Sequence, residues 1–356
     1  MINKTILLLV SVFFLILPDI NLQQTSVSGK DLMFYTNSAG RIRKVKSDRQ
    51  WDIKRNQILD AMQMVMGRLP GTEAKVPADM VILTEERVGD IRRLRITFAS
   101  GQNDRIPAYL LIPGDLKNPV PGILCLHQTT DIGKGEPAGL GGNPDLHYAL
   151  ELAARGFVTL APDYPGFGEY DCNPYEYGYV SATMKGIWNH MVAVDLLQSL
   201  PEVDPHRIGC IGHSLGGHNT LFLAAFDERI KVAVTSCGFT SFSKYYGGDL
   251  TGWSHEGYMP LIAEKYEENP EKMPFDFPEV LAAIAPRALF INAPVNDSNF
   301  EISGVFDCYN TAKPVYRFLS AEARIKMKNP VTHHTFPSEI RKEAYEFIEL
   351  NLRPDG

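Results

Sequence analysis

The chain has 356 residues, and 35 Lys+Arg against 42 Asp+Glu gives a formal net charge of −7, the wrong sign for neutralising nucleic-acid phosphates, so no nucleic-acid partner is expected. A composition of 44% hydrophobic, 22% charged and 10% aromatic residues is that of a packed globular protein and excludes disordered, collagen-like and repetitive classes. The length fits one large α/β domain with an appended N-terminal element.

Residues 1–30 read as a secretory signal: Lys4 precedes an apolar run from Ile6 to Leu17, and Pro18 ends it. Cleavage is expected somewhere in 18–30. The run is shorter than the roughly 20 residues a membrane helix needs, so no stable membrane insertion is expected after cleavage, and the expected location is periplasmic or secreted. No Cys follows the run to take a lipid.

Residues 31–78 form a helical extension in this reading. Ser47-Asp-Arg-Gln50 has the form of a capping box, with Trp51, Ile58, Met62, Val65 and Leu69 behind it at helical spacing until Gly67 and Pro70 stop the helix. The main domain, 79–356, opens with three strand-like runs, 80–84, 91–98 and 106–112, separated by Gly-containing turns that predict antiparallel pairing. Short apolar runs at 122–126, 157–161, 208–211, 232–236, 288–291 and 324–327 then alternate with helical stretches at 145–155, 181–200, 215–226, 304–320 and 337–352. Such alternation predicts right-handed crossovers and a doubly wound, mostly parallel sheet covered on both faces. Segment 239–283 breaks the rhythm and reads as a lid-like insertion, its Trp253, Tyr258 and Phe275 either lining a pocket or anchoring the loop.

Five cysteines (Cys125, Cys172, Cys210, Cys237, Cys308) are too few for a disulfide scaffold, and Cys125, Cys210 and Cys237 lie in apolar runs where buried, inert thiols are expected. No His or Cys spacing suggests zinc, and the Gly-rich stretch 128–144 holds neither phosphate-loop nor dinucleotide motif, so no metal and no cofactor are expected.

Chemistry concentrates at Gly212-His-Ser-Leu-Gly216, between a buried strand and a helix, which is the context of a nucleophile elbow. Ser214 would sit on a tight turn that lifts its hydroxyl clear of the sheet. A serine hydroxyl needs a base, and the base needs a carboxylate to orient it. Asp297 follows the strand at 288–291 and is the expected acid, or else a turn residue accepting local N–H groups. The adjacent His333 and His334, before the last helix, compete as base, with His334 favoured. His213 and His218 flank the nucleophile too closely to swing onto its hydroxyl and are expected to pack. The oxyanion donors should be the backbone N–H of Leu215 and that of Gln128, in the loop after 122–126. Asp163-Tyr-Pro-Gly-Phe-Gly-Glu-Tyr170 also lies at a strand's C-terminal end, and Tyr170 joins Trp253 and Tyr258 as a substrate-pocket candidate.

Over roughly residues 48–352 the chain resembles the α/β-hydrolases, in particular the dienelactone-hydrolase-like and acetyl-xylan-esterase-like bacterial serine hydrolases. The resemblance rests on Gly212-His-Ser-Leu-Gly-Gly217, Pro162-Asp-Tyr-Pro-Gly-Phe-Gly168, Ala285-Pro-Arg287 with Asn292-Ala-Pro294, and His334-Thr-Phe-Pro337. It implies a Ser214, Asp297 and His334 triad, and its His-x-Phe-Pro pattern selects His334 over His333. Where this fold often has His-Gly after the third strand, the chain has His127-Gln128. The implied activity is hydrolysis of carboxylic esters through an acyl-enzyme, with acetyl or methyl esters on oligosaccharides or polysaccharides as substrates. A prolyl-oligopeptidase-like peptidase is the second reading, although 31–120 is too short and unrepetitive for a propeller. A catalytically silent binding module is the third.

Overall fold

The computed structural model describes residues 31–353; the signal-like segment 1–30 lies outside them. The strands are β1 (Phe34–Thr36), β2 (Ile42–Lys44), β3 (Val81–Val88), β4 (Ile91–Gly101), β5 (Asp104–Ile112), β6 (Val120–Leu126), β7 (Val158–Pro162), β8 (Val203–His213), β9 (Ile230–Ser236), β10 (Ala288–Asn292) and β11 (Ile325–Lys328). The helices are α1 (Asp48–Met66), α2 (Tyr148–Ala154), α3 (Ala182–Ser199), α4 (Leu215–Phe226), the single turns α5 (Thr251–Ser254) and α6 (Leu261–Glu264), α7 (Phe277–Ile284), α8 (Ile302–Phe318) and α9 (Ser338–Leu352). No helix among the described residues is long and apolar enough to cross a membrane.

Nine strands form one sheet in the order β11-β10-β9-β8-β6-β7-β5-β4-β3. The pairs from β7 through to β11 are parallel, and β3, β4 and β5 join antiparallel, as the turn signals predict. β6 lies between β7 and β8, so the chain leaves it first to one side and then to the other. In an open α/β sheet such a reversal leaves a crevice at the strands' C-terminal ends, where ligands bind.

Each face of the sheet buries its own core. Phe157, Ile211, Val234 and Phe290 pack with Leu152 of α2 and with Phe347 and Ile348 of α9. On the other face α3, α4, α7 and α8 share a larger core, to which α1 adds Trp51, Ile58, Met62 and Val65 as its apolar spacing predicts. Arg55 fastens α1 by donating to Ala283 O (2.9 Å) and Ala225 O (2.7 Å), carbonyls in the last turns of α7 and α4 that have no acceptor role within their own helices. α1 starts where the capping box predicts it, but the Ser47 side chain makes no cap bond, and Gln50 Oε1 accepts from Lys46 N (2.7 Å) instead. The extension also contains the short β1-β2 hairpin, which its three-residue strands left without a periodic signal.

Segment 239–283 contains a helix the sequence reading missed. Asp276 and Glu279 form a full capping box on α7, whose other residues are all apolar and which is buried at every position but Pro278. Phe239 and Phe222 stack on Phe277, and Phe242 and Trp253 pack against it, so the segment's aromatic residues anchor it to the body. Burial, together with the neighbouring Asp276 charge, pushes the Glu279 carboxyl up to about 7. Between about pH 4.5 and 7 the folded chain holds a proton that the unfolded chain has released, so stability falls as pH rises through that window. Glu279→Gln keeps the acceptor oxygen of the cap. Denaturant midpoints should show it more stable than wild type by on the order of 1–3 kcal/mol at pH 8 and equal to it at pH 4.

Candidate active site

β8 delivers Ser214 to the crevice. Its backbone sits at φ 52°, ψ −114°, a strained conformation for a residue with a side chain, and its N–H donates to Ser236 O (2.8 Å). The flanking glycines are required by contact distance: a Cβ on Gly216 would lie 1.9 Å from Leu126 O, and one on Gly212 2.2 Å from Gly216 O. The first turn of α4 is thereby pressed onto the end of β6. Gly216→Ala should cost at least about 3 kcal/mol, because the obstructing atom is backbone and cannot move aside; a thermal melt reads it.

Asp297 arrives from the loop after β10, and His334 from the loop after β11. Backbone bonds from Ala293 N to Lys328 O (2.9 Å), Val295 N to Pro330 O (2.9 Å) and Asn296 N to Thr332 O (3.0 Å) zip the two loops together. The buried Phe336 anchors the second loop. His334 Nδ1 then lies 3.0 Å from each oxygen of Asp297, whose side chain is 1% exposed against 21% for the imidazole. Asp297 Oδ1 also accepts from Asn299 N (2.8 Å) and Phe300 N (3.2 Å), the local N–H groups of the turn-residue reading. Burial alone would raise its carboxyl, but the His334 hydrogen bond and charge and the two N–H groups outweigh burial and hold it below the ordinary value.

The neighbouring histidines are engaged elsewhere. His333 is exposed, with Nδ1 3.2 Å from Asn296 O. His213 is buried, its Nδ1 2.9 Å from Ser236 Oγ, and burial followed by the nearby His334 charge pulls it down to about 3. His218 is likewise buried at about 3, edge-on to Trp253 and Tyr258. The His213 and His334 rings stand 4.9 Å apart, which brings His334 beside the elbow. Among the described residues no hydrogen bond joins Ser214 to His334.

Leu215 is the first residue of α4, so its N–H has no intrahelical acceptor, and the Gln128 N–H makes no hydrogen bond among the described residues. Gln128 is held in place by its neighbours. Its side chain donates to Glu136 Oε1 (3.1 Å), and its carbonyl accepts from His127 Nδ1 (2.6 Å), while His127 Nε2 accepts from Tyr164 N (3.0 Å). Lys134 pins the same loop: its N and Nζ each donate to Asp163 at 2.7 Å, and Nζ reaches Glu169 at 2.9 Å.

The three pocket candidates separate. Tyr170 is buried and its hydroxyl donates to Asp104 Oδ1 (2.7 Å), in a network with the buried Lys185 and Asn189. Trp253 is buried within the aromatic anchor. Tyr258 is partly exposed and packs against the cluster of Tyr164, Ala182 and Leu215, the last of which directly follows Ser214.

All five cysteines are free and buried. Sequence reasoning placed Cys237 in the inert core, yet its Sγ lies with an Asp297 oxygen and a His334 nitrogen inside a cluster spanning 4.8 Å, the one grouping of metal-donor types among the described residues. Its S–H donates to Thr335 O (3.4 Å), and burial raises the thiol well above its ordinary value, so it is no ready metal ligand. No sequence signal announces that contact, because residues 237, 297 and 334 meet only when β9, β10 and β11 lie side by side.

The strand order and the likeness to solved structures are those of the α/β-hydrolase fold. The expected likeness to acetyl-xylan-esterase-like hydrolases holds: the family profile "Acetyl xylan esterase (AXE1)" matches residues 73–247 and "Glucuronyl esterase, fungi" matches residues 175–320. Among curated proteins the chain is 28% identical over 279 residues to YtaP of Bacillus subtilis, named as a hydrolase, covering 74% of this chain and 89% of that protein. It is 22% identical over 375 residues to the carbohydrate esterase MZ0003 of an unidentified prokaryote, covering 87% and 82%. Among solved structures the glucuronoyl esterase from Solibacter usitatus superposes with a TM-score of 0.72 at 19% identity, over 90% of this chain and 97% of that one. That of Caldicellulosiruptor kristjansonii gives 0.67 at 20% identity, over 92% and 91%. The chain thus has the α/β-hydrolase fold and is similar in sequence to hydrolases and carbohydrate esterases.

Proposed function

We propose that the chain is an exported serine esterase that removes acetyl or methyl esters from oligosaccharides or polysaccharides. The observation that carries the reading is the His334 to Asp297 pair standing beside the Ser214 elbow. With Nδ1–H donated to the carboxylate, the imidazole keeps its lone pair on Nε2 and can take the Ser214 proton. Ser214 Oγ attacks the ester carbonyl, and the Leu215 and Gln128 N–H groups receive the oxyanion. His334 passes the proton to the departing alcohol, Asp297 stabilises the imidazolium between these steps, and water then releases the acid from Ser214. The names of the related esterases support a carbohydrate ester, and the Ile6–Leu17 run supports export.

A panel of acetylated xylo-oligosaccharides, methyl esters of uronic acids and feruloyl sugars tests the substrate class. Turnover of one of the first two with release of acetate or methanol is the expected result. Cleavage of proline-containing peptides without ester turnover would select the peptidase reading, and a folded chain inert toward every substrate would select the silent module.

A further inference from the structure

Asp297 lines a cavity of about 10 Å³, close to the space one water molecule needs, together with Cys237, Phe239, Ile291, Asn292, Phe300 and Val305. Most of that wall is apolar, but Asn292 is not. Its side chain is 1% exposed, and its Nδ2 is spent on Ser236 Oγ (2.9 Å) and Thr335 O (3.0 Å). Its Oδ1 is buried without a hydrogen-bond partner among the described residues. A buried amide oxygen left unpaired costs about 1–3 kcal/mol, so the position calls for a donor. Asp297 Oδ1 accepts from Asn299 N and Phe300 N, and His334 Nδ1 is shared between Oδ1 and Oδ2, so of the carboxylate's about four acceptor positions the free one lies on Oδ2.

We propose that one water molecule occupies this cavity, donating one hydrogen to Asn292 Oδ1 and the other to the Asp297 carboxylate, and that Asn292 is thereby a positioning residue for the acid. Cys237 also walls the cavity, with its S–H donated to Thr335 O and its Sγ within 4.8 Å of an Asp297 oxygen. The water ties Asp297 to β10 and, through the other end of Asn292, to Ser236 and to the loop that carries His334. The carboxylate therefore keeps one orientation while the imidazole gains and loses its proton. The catalytic part of this inference rests on the esterase reading; the water site itself does not.

A crystal structure of the full chain at a resolution that orders internal waters is the direct test. One density peak within hydrogen-bond distance of both Asn292 Oδ1 and Asp297 is expected; a cavity with no peak, or one closed by apolar side chains, overturns the proposal. The second test is Val305→Ile, which adds one methylene to the wall, fills the cavity and leaves every polar group in place. Removing a donor from the carboxylate makes it a stronger partner for the imidazolium. The limb of the kcat/KM profile that reports His334 deprotonation should move to higher pH, with kcat/KM several-fold lower at the acid end and KM unchanged on the plateau. An unmoved limb, with the added methylene seen in the cavity, overturns the positioning role. If wild type is inactive but the water is present, the esterase reading fails and the site stands.

Discussion

Asp297→Asn is expected to fold and to lose about 10⁴-fold in kcat. An Asn oxygen can still accept from Asn299 N and Phe300 N, so the loop geometry survives. Its amide nitrogen, however, faces His334 Nδ1 as a donor, which favours the tautomer with the proton on Nε2 and removes the acceptor for the Ser214 proton. A stability difference accompanies the kinetic one. The wild-type carboxyl is held below its ordinary value, so its contribution is complete above about pH 4 and fades only in stronger acid. The variant lacks that contribution at neutral pH, and its melting temperature should fall there and converge on wild type in acid. A kcat within tenfold of wild type would remove Asp297 from the mechanism.

The two adjacent histidines should differ by orders of magnitude. His334→Gln should cost about 10⁵–10⁶ in kcat, the scale seen when a serine hydrolase loses its base, whereas His333→Gln should stay within a few-fold. The contrast follows from where each ring points: His334 is clamped between both oxygens of Asp297, and His333 lies exposed against Asn296 O. Measuring kcat for both variants on one substrate settles the assignment, and comparable losses would contradict it.

Much of the fold was legible because its signals are local. Parallel strands buried on both faces give short apolar runs, and the alternating helices give amphipathic ones, so β6 to β11 and most helices fall near their expected places. The helix at 277–284 escaped because its residues other than Glu279 are all apolar and leave no polar face to set a period, although Asp276 and Glu279 mark its start. Burial of Tyr170 on Asp104 was equally hidden, since its partner lies 66 residues away at the start of β5. The elbow was legible from spacing alone, because Gly212 and Gly216 answer a steric demand within five residues. Contacts among Cys237, Asn292 and Asp297 join the end of β9 to the end of β10 and the loop after it, and nothing in either segment alone encodes them.

The central claim is that the Ser214 hydroxyl is an activated nucleophile. Incubating the folded chain with a fluorophosphonate and mapping the adduct by mass spectrometry tests it most directly. One phosphonyl group on Ser214, absent from the folded Ser214→Ala variant, is the expected outcome. A folded wild-type chain that stays unmodified, or carries the label on another residue, would contradict it.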